Sequence, residues 1–292
     1  MHLRAAATLI TAQMVKIQLF PERNTLSSRY LLDWADTRFL VADDKMTMSL
    51  LLSAFVWFDV LACVSTGEKP FLQLDHVSLL ENGSLDLEEL TGCQNWVIVS
   101  MLKVHSLSHW KGELGINKSL SISQLVERGN EIEAFVRGRL KEELTEDISL
   151  ANGSSEVDRG EALSSTRRTI TEIYAWSTLT YLHTIVSGAN PHIPEIQESV
   201  LRTVEIFETL NDARLLRHLV WPFCISGCLA TEEQQGVFRT LISNIRMSNS
   251  AVGTCLTAFQ LMEECWKRRA VGEENYDWVS AMNSIGILAI LA

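Results

Sequence analysis

The sequence predicts an all-α protein, a single large helical domain of about nine to eleven packed helices. Three observations carry this reading. Only 5 prolines interrupt 292 residues. Apolar residues recur with a period near 3.6 over long stretches, with little strict alternation. Residues 215–228 are apolar nearly all the way round, as in a helix buried on every side, and form the expected centre of the core. Within that run Pro222 removes one backbone hydrogen bond and presses its ring on the carbonyl four residues earlier, so a bent helix is expected there. Gly227, just beyond, admits a neighbouring backbone. At 47% hydrophobic the chain can bury a large core, and one domain is expected over residues 1–292.

The elements follow in order. A helix is expected over 2–19, with Leu3, Ala6, Ala7, Ile10, Met14 and Ile17 as its apolar stripe and Pro21 as its stop. Thr8, Thr11 and Gln13 make this run too polar for the core of a signal peptide, so no leader is expected. A second helix over 28–42 carries Leu31, Trp34, Ala35 and Phe39 and ends at an Asp43-Asp44 break. Residues 47–64 are apolar enough to raise the question of a membrane span. Asp59 lies well inside the run, where a carboxylate in lipid costs roughly 2.5 to 3.5 kcal/mol even on permissive scales. A buried core helix is therefore expected. Asp59 itself has two readings: a carboxyl with a raised pKa and chemistry to perform, or an acceptor for a neighbouring backbone or Arg, which we rank first. The run 65–70 ends the helix, and a loop is expected as far as Gly92, without the spacing of a phosphate-binding loop.

Residues 93–111 form the next expected helix, with Trp96, Met101, Val104, Leu107 and Trp110. His105 and His109 fall one turn apart on it, half of a zinc site without the HExxH context, and read as two surface histidines. Ser121-Ile122-Ser123-Gln124 matches a capping box and opens a helix with an inner stripe of Ile122, Leu125, Gly129, Ile132, Val136 and Leu140. Residues 145–160 are polar and rich in turn formers, the expected mobile internal loop. A long helix over 165–187 carries Ile173, Tyr174, Trp176, Tyr181, Leu182 and Ile185 and is closed by Gly188 and Pro191. Pro194 suits the first turn of a helix bearing Ile196, Val200, Val204 and Phe207. Thr231-Glu232-Glu233-Gln234 is a second capping-box match, leading into Phe238, Leu241, Ile242 and Ile245. Helices over 252–269 and 276–291 complete the chain; Lys267-Arg268-Arg269 complements the C-terminus of the first of them.

Charge and cysteine usage narrow the function. A net charge of −11 repels the phosphates that a nucleic-acid binder must neutralise, so this chain is not expected to bind DNA directly. Six cysteines are scattered with no CxxC pair and read as buried apolar residues of a reducing compartment. Cys224 and Cys228 share a helix face, but nothing nearby supplies two more metal ligands. The Asn-X-Ser triplets at Asn82, Asn117 and Asn152 read as turn chemistry. No catalytic, cofactor-binding or metal-ligating residue is expected.

Several segments, in this order, resemble the fungal-specific transcription factor domain, the regulatory region that follows a zinc-cluster DNA-binding module in many fungal regulators. They are His2-Leu3-Arg4-Ala5-Ala6 with Leu9-Ile10, the run from Asp59 through Gly67, Gly92-Cys93 with Trp96, and Tyr181-Leu182-His183 with Ser187-Gly188. The run continues with Trp221-Pro222-Phe223-Cys224-Ile225-Ser226-Gly227-Cys228, Glu264-Cys265-Trp266 with Arg268, and Asp277-Trp278. The resemblance implies an all-helical regulatory domain of a nuclear transcriptional regulator, with the cytoplasm as the alternative location. It implies action by binding a small-molecule effector or by forming a homo- or heterodimer with a full-length regulator, with no membrane association and no cofactor. An effector site would lie between helices, with Tyr174, Trp176, Tyr181 and Trp221 as its walls, although plain core packing uses the same residues and ranks first for any one of them. The family's six-cysteine zinc cluster, linker and coiled coil have no counterpart in these residues. The chain is accordingly expected to be an N-terminally truncated copy, or to act without its own DNA-reading part.

Two other classes were weighed. An all-helical isoprenoid synthase needs aspartate-rich metal motifs. Asp43-Asp44 lacks the third Asp, and Asn211-Asp212 is followed by Leu215 and Leu219 where a hydroxyl residue and an acid are required. A stand-alone interaction protein differs from the regulator mainly in location.

Overall fold

A computed structural model describes residues 42–72, 74–150, 159–210, 213–247 and 253–292. The helix expected over 2–19, and residues 28–41 of the one expected over 28–42, lie outside them. The described residues form eleven α-helices and one 3-10 helix, with no strand.

Helix α1 spans Ala42–Thr66, so Asp43 and Asp44 fall in its first turn rather than at a break. Ser49–Thr66 is long and apolar enough to cross a membrane by length and composition. Its inner residues Val56, Val60 and Leu61 are buried in the core, whereas Leu50, Leu51 and Phe58 are exposed among the described residues. The expected loop to Gly92 instead contains two short helices, α2 (His76–Glu81) and α3 (Glu88–Thr91). Asp75 caps α2, accepting from the Ser78 backbone at 3.0 Å and its hydroxyl at 2.6 Å. Asn95 fixes the connection: its Nδ2 donates to the carbonyls of Leu80 and Leu85 and its Oδ1 accepts from the Leu87 amide. These contacts cross the sequence, so local pattern could not show them.

Helices α4 (Asn95–Ile116) and α5 (Ile122–Leu150) are followed by α6 (Arg159–Ser187). Residues 145–150 and 159–160 of the expected loop are therefore helical, since no Gly, Pro or Asn stands among 145–150 to stop α5, and 151–158 lie outside the described residues. Along α5, Leu125, Val136 and Leu140 are buried, but Ile122, at its first turn, is 64% exposed. Gly129 lets α5 approach α6, since a Cβ there would lie 2.9 Å from Val186 Cγ2. Only the loose half of the Ser121 box forms, Gln124 N to Ser121 Oγ at 3.4 Å.

Helix α6 packs against α4, α5 and α7 (Pro194–Thr209), and its small polar residues bond across the seams. Thr180 Oγ1 donates to Ser199 Oγ on α7 at 2.8 Å, and Ser177 Oγ lies 3.1 Å from Ser226 Oγ. Pro194 is the first residue of α7, as expected.

The central run is not one bent helix. Residues Ala213–His218 form the 3-10 helix, Leu219 is non-helical with φ −118 and ψ 21, and α8 runs Val220–Cys228. Pro222 thus sits in the first turn of α8, where its missing N–H would have had no intrahelical partner. Its ring excludes a bond to the His218 carbonyl four residues back, and Tyr174 Oη supplies that bond at 2.9 Å. The residue type was the right signal; it marks a start rather than a kink.

Helix α9 (Gln235–Met247) starts one turn after Thr231. Gln234 Oε1 accepts from Thr231 N at 3.0 Å and Thr231 Oγ1 at 3.2 Å, which is the reach-back half of the box. Helix α10 (Gly253–Ala270) lies along α8, and Gly227 is the contact: a Cβ there would meet Met262 Sδ at 2.5 Å. Helix α11 (Trp278–Ile285) is shorter than expected, because Gly286 at φ 72 ends it. The remaining tail turns back on α1, where Leu291 N donates to Ser65 Oγ at 3.2 Å and Leu291 is fully buried.

Candidate functional site

The aromatic residues expected to wall an effector site come together in part. Tyr174 stacks on Trp221 with ring centroids 6.0 Å apart, and Tyr181 meets Trp221 edge-on at 6.0 Å. Trp57 and Trp278 extend the row at 5.7 and 5.6 Å. These rings fill the space between one another: Trp221 is 0% and Tyr174 1% exposed. The row is packed core. Trp176 stands apart and half-buried, with the Arg137 guanidinium 5.8 Å from its ring.

The residues carrying the family resemblance hold the fold. Asp59, 2% exposed, accepts from the amides of Phe71 at 2.8 Å and Leu72 at 3.0 Å, and its Oδ2 lies 3.0 Å from His76 Nε2. His76 Nδ1 is 2.9 Å from the Leu74 carbonyl. Asp59 is thus the acceptor that folds the segment after α1 back onto that helix, with His in the place considered for Arg. Trp266 Nε1 donates to the Gly227 carbonyl at 2.8 Å, Glu264 accepts from Arg268 at 2.6 Å, and Asp277 caps α11 by accepting from Ser280 N at 2.8 Å.

His105 is not on the surface. It is 4% exposed, and burial, with the His109 ring 4.6 Å away, pushes its pKa down to about 4 against a smaller opposing contact from the Glu68 backbone. All six cysteines are free and buried. Burial and the Asp59 charge push the Cys63 thiol up to about 12. Cys224 and Cys228 sit with sulfurs 4.0 Å apart, facing α10. Among the described residues no group of three or more His, Cys, Asp or Glu is placed to hold a metal ion. Thiols pushed upward by burial are poor nucleophiles and poor ligands.

Two surface clefts that join aromatic rings to charged groups have no signal in the sequence. One, of about 490 Å³, lies between the α2–α3 connection and helices α4 and α5, with Trp96, Phe135 and Arg139 on one wall and Glu81, Asp86 and Glu88 on the other. Trp96 is held by donating to Gln94 Oε1 at 2.8 Å and Glu143 Oε1 at 3.0 Å, and Arg139 lies 5.6 Å from its ring. The second, of about 460 Å³, lies among the start of α7, the α8–α9 turn and the end of α10, and Trp266 and Arg269 line it. In the sequence Arg269 was one of three basic residues at a helix end. Only the packing of α8 separates it from Lys267, which is exposed, and Arg268, which pairs with Glu264 and Glu273.

The described residues thus form an all-α domain whose buried polar residues brace its own backbone and whose open clefts join aromatic rings to charged groups. The family model of the fungal specific transcription factor domain matches residues 1–291, and the chain belongs to that family. It is 31% identical over 280 residues to the trichothecene biosynthesis transcription regulator TRI10 of Trichoderma arundinaceum, covering 92% of this chain and 62% of that protein. It is 28% identical over 290 residues to transcription factor ntnD of Nectria sp, covering 95% and 44%. With the ustiloxin B cluster transcription factor ustR of Aspergillus flavus it shares 26% over 240 residues, covering 80% and 40%. The chain therefore spans less than two thirds of the length of these relatives. No solved structure matches it.

Proposed function

We propose that this chain is the regulatory and effector domain of a transcriptional regulator of the zinc-cluster class, acting in the nucleus on a pathway-specific set of genes of secondary metabolism. The observation that carries the reading is the family match over residues 1–291, together with relatives that are named regulators of biosynthesis or of a gene cluster. On this reading the chain works by binding a small effector, or by pairing with a full-length regulator, and has no turnover chemistry. The two mixed aromatic and charged clefts suit an effector. The outer face of α5, where Ile122 and Val126 are exposed among the described residues, suits a partner.

The test fuses the chain to a heterologous DNA-binding module and measures a reporter, with and without extracts of secondary metabolites, alongside transcript profiles of a deletion strain. Reporter output that depends on the chain, and altered transcripts of a biosynthetic cluster, are expected. An inert fusion, unchanged transcripts and turnover of a diphosphate substrate with magnesium would replace this reading with the isoprenoid synthase one.

A further inference from the structure

Among the described residues, Arg269 is a half-buried cation without a counter-charge. Its Nη2 donates to the Cys228 carbonyl, while Nη1 is buried and has no hydrogen-bond partner. No ion pair from the described residues reaches it, whereas Arg268 beside it has Glu264 at 2.6 Å and Glu273 at 2.9 Å. The neighbouring thiols Cys228 and Cys265 supply no negative charge, since burial and the Cys224 contact raise the Cys228 pKa, and the Cys228 contact and burial raise that of Cys265. Burial in turn lowers the Arg269 pKa. A guanidinium nitrogen closed off from solvent without a partner is costly, and proteins retain one mainly where something else completes it.

What lies beside Arg269 is open space. Arg269 lines the cleft of about 460 Å³ together with Trp266, Gln197 and Thr231. That volume is in the range of small-molecule sites, roughly 300 to 1,000 Å³. The rim carries two exposed carboxylates, Glu232 and Glu233. A ligand must therefore bring one negative group to the depth of Arg269 and none to the rim.

We propose that this cleft binds a small monocarboxylic acid, with its carboxylate on the guanidinium edge that Cys228 leaves free and with the rest of the molecule neutral or cationic. A carboxylate matches the guanidinium fork and forms the stronger, charge-assisted hydrogen bonds. The rim excludes dianions and polyphosphates by like-charge repulsion. The inference deepens the effector reading and rests on it for what the site is for. Affinity measured on purified protein reads the site alone, and the reporter assay reads the regulator, so either can fail without the other.

The experiment titrates the 292-residue chain with benzoate, its neutral counterpart benzamide and the dianion phthalate, following thermal stability and the indole resonances of 15N-labelled protein. Benzoate is expected to bind and to shift the Trp266 indole signal, with benzamide and phthalate weaker by about tenfold or more. Arg269→Gln should abolish benzoate binding in a protein with unchanged circular dichroism. Because Arg269 also holds the Cys228 carbonyl and its loss can unfold the chain, a second variant is needed. Glu232→Gln with Glu233→Gln, on the exposed turn, should bring phthalate to within a few-fold of benzoate. Equal binding of benzoate and benzamide, benzoate binding that survives Arg269→Gln, or a double variant that still rejects phthalate would each overturn the proposal.

Discussion

Asp59 braces the fold with a carboxylate whose two oxygens serve two backbone amides and one imidazole. Asp59→Asn keeps the shape but turns a donor toward donors. We expect it to cost about 2 to 4 kcal/mol, read as a lower urea midpoint with little change in slope. An unchanged midpoint would show that water replaces the lost acceptor. His105 gives a pH dependence whose sign is fixed by its environment. Its folded pKa, about 4, lies below the ordinary 6.5, so between those values the unfolded chain binds a proton that the folded chain refuses. Stability therefore falls as pH drops through that window, by an amount of order 3 kcal/mol, with no further loss from this group below it. His105→Leu should make the acid limb of a stability–pH curve shallower over the same window; an identical limb would mean that His105 protonates freely in the folded state.

At the scale of elements, α8 owes its start to Pro222 and its close neighbour to Gly227. Pro222→Ala removes buried ring atoms and loosens the unfolded chain, so a loss of about 1 to 2 kcal/mol is expected. Helical content should not rise, because Tyr174 Oη still occupies the His218 carbonyl that an extended helix would need. A gain in helical circular dichroism or in melting temperature would show that proline alone divides the 3-10 helix from α8. At Gly227 two effects oppose one another. Alanine favours a helix by roughly 1 kcal/mol, but its Cβ would stand 2.5 Å from Met262 Sδ and 3.1 Å from Met262 Cγ. The contact reaches beyond the flexible end of the methionine, so overpacking wins and Gly227→Ala should destabilise by about 1 to 3 kcal/mol in urea unfolding.

For the whole molecule, the organising fact is enclosure of α6 by α4, α5, α7 and α8, with the C-terminal tail closing on Ser65 at the end of α1. The net charge of −11 surrounds this body with a field that opposes phosphate. A mobility-shift assay of the purified chain at physiological salt should therefore show no retained DNA. Tight, sequence-specific retention would overturn that expectation and relocate DNA reading into these residues.

The sequence by itself determined the class of fold, the helical stretches of α4 through α7, the Pro194 start, the close approach at Gly227 and the family. Each depends on periodicity, backbone restriction or a run of residue types, all of which are local. It also located Asp59 as a carboxylate needing partners. Only the tertiary structure decided who those partners are, that His105 is buried while the outer end of the same face is open, and that α2 and α3 interrupt the expected loop, because Asn95 binds them from a distant position. Likewise Tyr174, Tyr181 and Trp221 could equally have lined a cavity or filled one, since the same aromatic residues serve both. The geometry that fills it comes from Trp57 and Trp278, which are far away in the chain. Arg269 is the sharpest case. Its sequence neighbours are basic residues paired in solvent, and its own lack of a counter-charge among the described residues arises only where α10 meets α8.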